Sequence, residues 1–323
     1  MKRIIKINQN SGVPLLGLLH IGIIDRANNN LIQVRPTTIC NLDCKFCSTN
    51  SKDIKIHPND FIVEKDYMIK WVKGAIKLKN SSLNIFLDSV GEPFTYPNIL
   101  NLIQDISKIK DIENITTITN GTLLNKNLIK SLENTKLSQI NISLHSLDKE
   151  KSKFLMGSKS YNINKLLDTI NLIYESNIDL ILTPVYLPGI NEKDIEDIIK
   201  LSKELKCKIG IQKYEKYKYS KKDYNNINYY KFYEYIKKLE NKHKIKLNYK
   251  SFNIKFKKTN KIPLICKKNE KLNVEVKEHG WFSNEKIAVH KNRAITVLDC
   301  KKDKGDNVNI RIFDNKDGIY LAK

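Results

Sequence analysis

The sequence predicts an α/β fold: a partial barrel of six βα units over residues 31–212, followed by a small all-β barrel over residues 261–323. Two observations carry the first part. From Asn30 to about Ile211, short β-branched apolar runs alternate with stretches whose apolar residues recur at helical spacing. Repeated βα units imply parallel strands with right-handed crossovers, and six of them make an open sheet rather than a closed eight-stranded barrel. A third observation carries the second part: the carboxyl end breaks into short alternating runs separated by turn residues. The 323 residues, 41% hydrophobic, suffice for one large domain and one small one.

Residues 1–30 are expected to form an N-terminal β extension. Its apolar run from Val13 to Ile24 contains Pro14, His20 and inner glycines, and predicts strands of a hairpin rather than a leader, although Lys2, Arg3 and Lys6 imitate a charged leader region. No run reaches the roughly 18–20 apolar residues of a membrane span, so no membrane partner is expected. The six strands are Leu31–Arg35, Asn84–Asp88, Ile115–Thr119, Ile140–Leu144, Leu180–Tyr186 and Lys208–Gln212. The helices between them are Val63–Lys79, Asn98–Lys108, Lys126–Glu133, Ile163–Ser176 and Glu192–Cys207; Ile163, Leu166, Leu167, Ile170 and Ile173 show the period. Residues 213–260 read as a basic, tyrosine-rich connector with a helix over Asn226–His243. Eight of the 15 tyrosines fall between Tyr214 and Tyr235. Tyr229, Phe232, Tyr233, Ile236 and Leu239 share one helical face and read as packing. Tyr214, Tyr217 and Tyr219, interleaved with lysines, are the candidates to stack on bases. The final strands are expected at Leu272–Lys277, Lys286–His290, Ala294–Val297, Asn307–Phe313 and Gly318–Ala322.

The chemistry begins at Cys40, Cys44 and Cys47, spaced C-x3-C-x2-C with Phe46 just before the last thiol. Three thiols in one short loop can ligate three irons of a cubane cluster and leave the fourth iron open, and an open iron is a site for chemistry. Zinc is the competing reading, but a structural zinc site takes four ligands, usually as paired C-x2-C knuckles. The nearest other cysteine is Cys207, and His57 lies ten residues past Cys47 in a Lys/Asp-rich loop.

With the preceding strand, this loop resembles the signature of the radical S-adenosylmethionine (radical SAM) enzymes. Further segments are similar to that family's motifs. Ser89-Val-Gly-Glu-Pro93 follows a strand and resembles the segment whose backbone holds the amino group of S-adenosylmethionine; it reads Val90-Gly91 where many members have two glycines. Thr119-Asn120 resembles the end of the third strand, and Ser143 the polar position that reaches the ribose on the fourth. The resemblance implies a [4Fe–4S] cluster on Cys40, Cys44 and Cys47, and S-adenosylmethionine near Phe46, Gly91, Glu92, Pro93, Thr119, Asn120, Ser143 and His145. These motifs fall at the carboxyl ends of predicted strands, where ligand sites of such sheets lie. Glu92 reads either as a ligand-orienting carboxylate or as a rim ion pair, and His145 either as a proton donor or cofactor neighbour or as a structural histidine. An electron donor such as ferredoxin or flavodoxin is implied as well.

Net charge is +22, and its placement is informative. Residues 201–323 hold 32 Lys/Arg and 14 Asp/Glu, whereas residues 1–200 hold 25 and 21. A compositional bias toward Lys, Asn and Ile would affect both parts alike, so the asymmetry points to a polyanion partner. Lys304-Gly-Asp-Asn-Val-Asn-Ile-Arg-Ile-Phe313 followed by Gly318–Ala322 is similar to the end of a TRAM domain, an RNA-binding barrel attached to tRNA-modifying enzymes. On that resemblance Lys301, Lys302, Lys304 and Arg311 are RNA-binding candidates, and tRNA is the expected partner. Cys207, Cys266 and Cys300 lack a C-x2-C element and read as buried or incidental thiols; assembly into a second cluster is the alternative. An open iron requires a reducing compartment, so a cytoplasmic location without disulfides is expected. The reading is therefore a tRNA-modifying radical SAM enzyme. The alternatives are a radical SAM enzyme acting on a small molecule or peptide, and a non-catalytic iron–sulfur RNA-binding protein.

Overall fold

The structure is a computed structural model that describes residues 1–247 and 256–323. Residues 248–255 of the expected connector lie outside the described residues. In chain order the elements are β1 (Arg3–Ile7), β2 (Gly22–Ile24), β3 (Leu31–Arg35), β4 (Asn59–Val63), α1 (Lys65–Lys79), β5 (Leu83–Leu87), α2 (Ile99–Ser107), β6 (Ile112–Thr119), α3 (Lys126–Leu132), β7 (Leu137–Ile142), α4 (Lys149–Met156) and α5 (Ile163–Tyr174). There follow β8 (Asp179–Leu182), β9 (Val185–Tyr186), α6 (Glu192–Glu204), β10 (Lys208–Ile209), β11 (Gln212–Lys213), α7 (Tyr229–His243), β12 (Lys271–His279), β13 (Glu285–His290), β14 (Arg293–Leu298), β15 (Asn307–Asp314) and β16 (Leu321–Ala322).

A seven-stranded sheet has the order β10-β8-β7-β6-β5-β3-β2, and β12-β13-β14-β16-β15 close a separate barrel. The six expected parallel strands are present. β3 pairs with β5 in register Leu31↔Asn84, and β7 with β8 in register Gln139↔Asp179. The expected strand 180–186 is cut in two at Thr183-Pro184, because proline lacks the N–H the ladder needs. β9 instead pairs with β11, Val185 opposite Gln212. The helices follow their periodicity. α5 buries Ile163, Leu166, Ile170 and Ile173, and the Asn162 side chain accepts from Asn164 N and Lys165 N at its start.

The chain folds as two compact units. The first comprises Met1–Asn41, Ser51–Ile115 and Phe256–Lys323; the second comprises Leu42–Asn50 and Thr116–Lys255. In the first unit the C-terminal barrel packs on the N-terminal segments. Ala294 N donates to Leu16 O at 2.8 Å, Tyr320 N to Gly17 O at 3.0 Å, and Ser283 N to Ile56 O at 2.9 Å. The hairpin expected between Val13 and Ile24 does not form. β2 pairs antiparallel with β3, and the stretch before it makes only a single bridge, Leu16↔Ile23. Gly17 takes φ 114°, and a side chain there would overlap the Ala294 carbonyl, so the segment bends to receive β14. The first two expected residues of the Val63–Lys79 helix are extended, because Val63 closes the parallel pair of β4 with β1.

Candidate active site

In the first unit, β3 and β5 end side by side. Arg35 and Asp88 join these ends through two buried bonds, Nε to Oδ1 at 2.9 Å and Nη2 to Oδ2 at 2.7 Å, and Arg35 Nη1 donates to Leu19 O at 2.6 Å. Beyond Asp88 the chain folds over the residues that precede Cys40. Ser89 Oγ donates to Thr37 O at 2.6 Å and accepts the Gly91 N–H at 2.9 Å. Glu92 N and Thr95 Oγ1 both donate to Ile39 O, at 2.8 and 3.0 Å. An added Cβ at Gly91 would lie 2.5 Å from Thr38 O and closer still to Ile39 O, so the backbones meet where only glycine fits. Glu92 is 2% exposed and its Oε1 accepts the Phe94 N–H at 3.0 Å. It thereby caps the short 3-10 turn Pro93–Thr95.

In the second unit, the loop carrying Cys44 and Cys47 rests on the end of α4. Asp43 N donates to Met156 O at 3.3 Å and Lys45 N to Leu155 O at 2.8 Å. Cys47 N closes a turn onto Cys44 O at 3.1 Å. Gly157, at φ 63°, lies so near Asp43 that a side chain there would overlap its carbonyl oxygen. From the other side, Lys221 N donates to Cys47 O at 2.9 Å and the Lys221 ammonium pairs with Asp43. Cys44 Sγ lies 4.0 Å from Met156 Sδ, and Cys47 Sγ 3.3 Å from Thr49 Oγ1. Phe46 meets the His145 ring edge-on at 4.5 Å. His145 Nδ1 accepts the Val185 N–H at 3.1 Å, which places the ring proton on Nε2. Burial pushes its pKa down to about 3, so the imidazole is neutral and orients Phe46. Thr119 O accepts the Ser143 N–H at 2.9 Å, while Asn120 Oδ1 accepts the Thr122 N–H at 3.0 Å in a side-chain turn. Met156, Gly157 and Lys221 carry no sequence signal that marks them for this loop.

No disulfide joins any of the six cysteines, and the three of the loop are partly exposed. Among the described residues no three His, Cys, Asp or Glu side chains converge on one point. A mononuclear zinc site demands such convergence. Three partly exposed thiols at C-x3-C-x2-C spacing are the donor set that three irons of a cubane take, one thiolate to each.

The sequence profile of the Radical SAM superfamily matches residues 34–202, just over half of the chain. The chain belongs to the radical SAM superfamily. Its cofactors are a [4Fe–4S] cluster and S-adenosylmethionine. This radical SAM chain is 32% identical to the uncharacterized protein MJ0103 of Methanocaldococcus jannaschii, over 97% of its own length and 79% of that protein. It is 28% identical to GTP 3',8-cyclase of Aquifex aeolicus over 57% of this chain and 56% of the cyclase, and 30% identical to that of Clostridium perfringens over 54% and 51%. The chain thus spans little more than half the length of these cyclases. In fold it is similar to Streptococcus suis SuiB bound to S-adenosylmethionine, with a TM-score of 0.54 and 21% identity, covering 68% of this chain and 49% of that one.

The remaining candidates of this radical SAM protein are scattered. Tyr214 is 3% exposed, lies 5.9 Å edge-on from Tyr224 and donates its hydroxyl to Lys222 O at 2.7 Å. Its ring is core and offers no face to a base, a correction to its expected role. Tyr217 is exposed, and Lys218 Nζ lies 4.9 Å over the ring of Tyr219. On α7 the expected packing face holds at Phe232, Ile236 and Leu239 but not at Tyr229 and Tyr233, which are exposed. Lys301 and Lys302 are exposed, Lys304 Nζ pairs with Glu278 at 3.1 Å, and Arg311 Nη2 donates to Asn269 at 2.9 Å. Cys266 belongs to the apolar core of the barrel and the partly buried Cys300 packs against it, while burial pushes the Cys207 thiol up to about 11. His57 is fully buried, stacked on Trp281 at 3.8 Å. Among the described residues no helix is long and apolar enough to cross a membrane.

Proposed function

We propose that this radical SAM protein modifies a nucleoside in tRNA, with Cys40, Cys44 and Cys47 ligating three irons of the cluster and a low-potential ferredoxin or flavodoxin supplying the electron. When bound, the cluster and S-adenosylmethionine supply a 5'-deoxyadenosyl radical that takes a hydrogen atom from the substrate. The chain's own residues do the positioning. The Gly91 backbone, pressed on Thr38 and Ile39, shapes the approach to Cys40. The neutral His145 sets the Phe46 ring, and Lys221 fixes the carbonyl of Cys47.

One observation carries the RNA reading. The turn that presents Tyr217 is bonded directly to the cysteine loop: Ser220 N donates to Tyr217 O at 3.1 Å, and the next residue is Lys221 on Cys47. That turn lies in the most basic stretch of the chain, since residues 201–260 hold 18 Lys/Arg against 5 Asp/Glu. Exposed Tyr217 and Tyr229, the latter with Lys213 Nζ 5.1 Å over its ring, offer stacking faces beside lysines. A single-stranded RNA loop is bound by that combination of stacking and phosphate contact.

A second reading, a free purine nucleotide as substrate, is favoured by the likeness to the GTP 3',8-cyclases. One experiment separates them. Full-length protein, reconstituted anaerobically with iron and sulfide, is given S-adenosylmethionine and dithionite with either bulk tRNA or GTP. A new nucleoside mass in the tRNA digest, lost in a Tyr217→Ala, Tyr229→Ala variant that still releases deoxyadenosine, supports the RNA reading. An unchanged tRNA digest with consumption of GTP overturns it in favour of the second.

A further inference from the structure

A cavity of about 260 Å³ in the first unit lies where the barrel meets the N-terminal segment, outside the site described above. Its walls are apolar, formed by Leu16, Ile23, Pro263 and the ring of Tyr320 among others. They are held in place before any ligand arrives. The Tyr320 hydroxyl accepts the Ile265 N–H at 2.9 Å, and its own N–H bonds to Gly17 O at 3.0 Å.

Four charged residues also line it: Asp25, Lys261, Arg293 and Asp317. Three are neutralised locally. Asp25 accepts the buried Lys79 ammonium at 2.8 Å on both oxygens and the Ile262 N–H at 2.7 Å. Lys261 and Asp317 pair with each other at 3.0 Å. Arg293 is left over. It is 8% exposed, and its Nη1 donates to the neighbouring Asn292 O at 3.1 Å. Among the described residues no carboxylate pairs with it. Burial lowers its pKa, and the groups opposing that shift, Tyr320 and Cys266, are neutral near pH 7. A buried cation without a counter-charge is costly, and the cost is relieved by an anion that enters the same space.

We propose that this cavity binds a small monocarboxylate with an apolar body, held by the Arg293 guanidinium. A guanidinium fork matches the planar carboxylate and makes two parallel bonds to it. The local balance is one uncompensated positive charge, which a monoanion neutralises. A phosphate dianion would overshoot it and lie against the carboxylates of Asp25 and Asp317. The volume is just below the roughly 300–1,000 Å³ of drug-sized sites, which suits a compact ligand.

The test uses the full-length protein and benzoate, with neutral benzamide and inorganic phosphate as controls, read by calorimetric titration and by the unfolding temperature. Benzoate is expected to bind saturably and raise the unfolding temperature, while benzamide and phosphate do not. Arg293→Gln is expected to weaken benzoate at least tenfold. Leu264→Trp fills the mouth from a half-exposed wall position without touching Arg293, and is expected to abolish binding even if Arg293→Gln fails to fold. No saturable benzoate binding, equal binding of benzamide, or binding that survives Leu264→Trp would overturn the proposal.

Discussion

Gly91 and Gly157 each sit where a side chain would strike a backbone carbonyl, Ile39 in one case and Asp43 in the other. The first was legible, because it stands in a motif with the proline that follows it. The second was not, since a glycine ending a short polar helix looks like any other helix stop. Gly189 supplies the comparison: it also has positive φ, 82°, but a Cβ there meets open space. Gly189→Ala should cost only the left-handed backbone penalty, roughly 1–2 kcal/mol in unfolding free energy, and leave cofactor loading intact. Gly157→Ala should in addition displace Asp43 and lower both iron per chain and deoxyadenosine yield. Equal iron content in the two variants would show that the contact with Asp43 does not matter. Tyrosines show the limit of sequence at this scale. Tyr214 and Tyr217 have similar neighbours in the chain, yet one is core and the other exposed, because Leu155, Leu187 and Tyr224 close over only the first.

Among elements, the six strands and five long helices announced themselves by period, whereas α4 did not. Its sequence Lys149–Met156 buries only Ser152, Leu155 and Met156, too few positions to show a repeat. It is nonetheless the shelf for Asp43 and Lys45, and the Asp148 side chain caps it by accepting the Lys151 N–H at 2.7 Å. Asp148→Ala should lower unfolding free energy by about 1 kcal/mol in urea titrations, with a parallel loss of bound iron. The turn between β12 and β13 carries a pH signature of its own. His20, packed against Trp281 and Phe282, is pushed down to about 3 by burial, with Arg35 and His57 adding to the shift. Glu285, whose Oε2 accepts the Phe282 N–H at 3.2 Å, is pushed up to about 7 by burial. A depressed histidine is stabilising above its unfolded value and loses that contribution as pH falls from 6.5 toward 3. A raised carboxyl is stabilising below its unfolded value and loses that contribution as pH rises from 4.5 toward 7. Together they give a plateau between pH 4.5 and 6.5, with a slope of about 1.4 kcal/mol per pH unit on either flank. Glu285→Gln should remove the decline between pH 6.5 and 7 and turn the plateau into a rise with pH, measured by chemical unfolding of matched proteins. An unchanged profile would mean that the carboxyl is solvated.

For the whole molecule, the sequence suggested a barrel appended after a catalytic sheet, and the structure instead interleaves them. The open sheet and the closed barrel were both readable from alternation and turn signals. Their union was not, because hydrogen bonds such as Asn59 Nδ2 to Gly280 O, at 2.9 Å, join residues that no local pattern relates. Removing residues 262–323 should therefore leave an aggregated or unfolded chain rather than a free-standing sheet, seen as loss of cooperative thermal unfolding and of protease resistance. A soluble, cooperatively folding truncation would show that the packing on Leu16, Gly17 and Ile56 is dispensable. The bond from Tyr320 N to Gly17 O spans about 300 residues of chain. At about 5–20 residues per second of synthesis, its two ends are made roughly 15–60 s apart. Throughout that interval the segment around Leu15, Leu16 and Leu18 lacks the bonds that Ala294 and Tyr320 bring to it, so this part of the core closes only after synthesis has passed Tyr320.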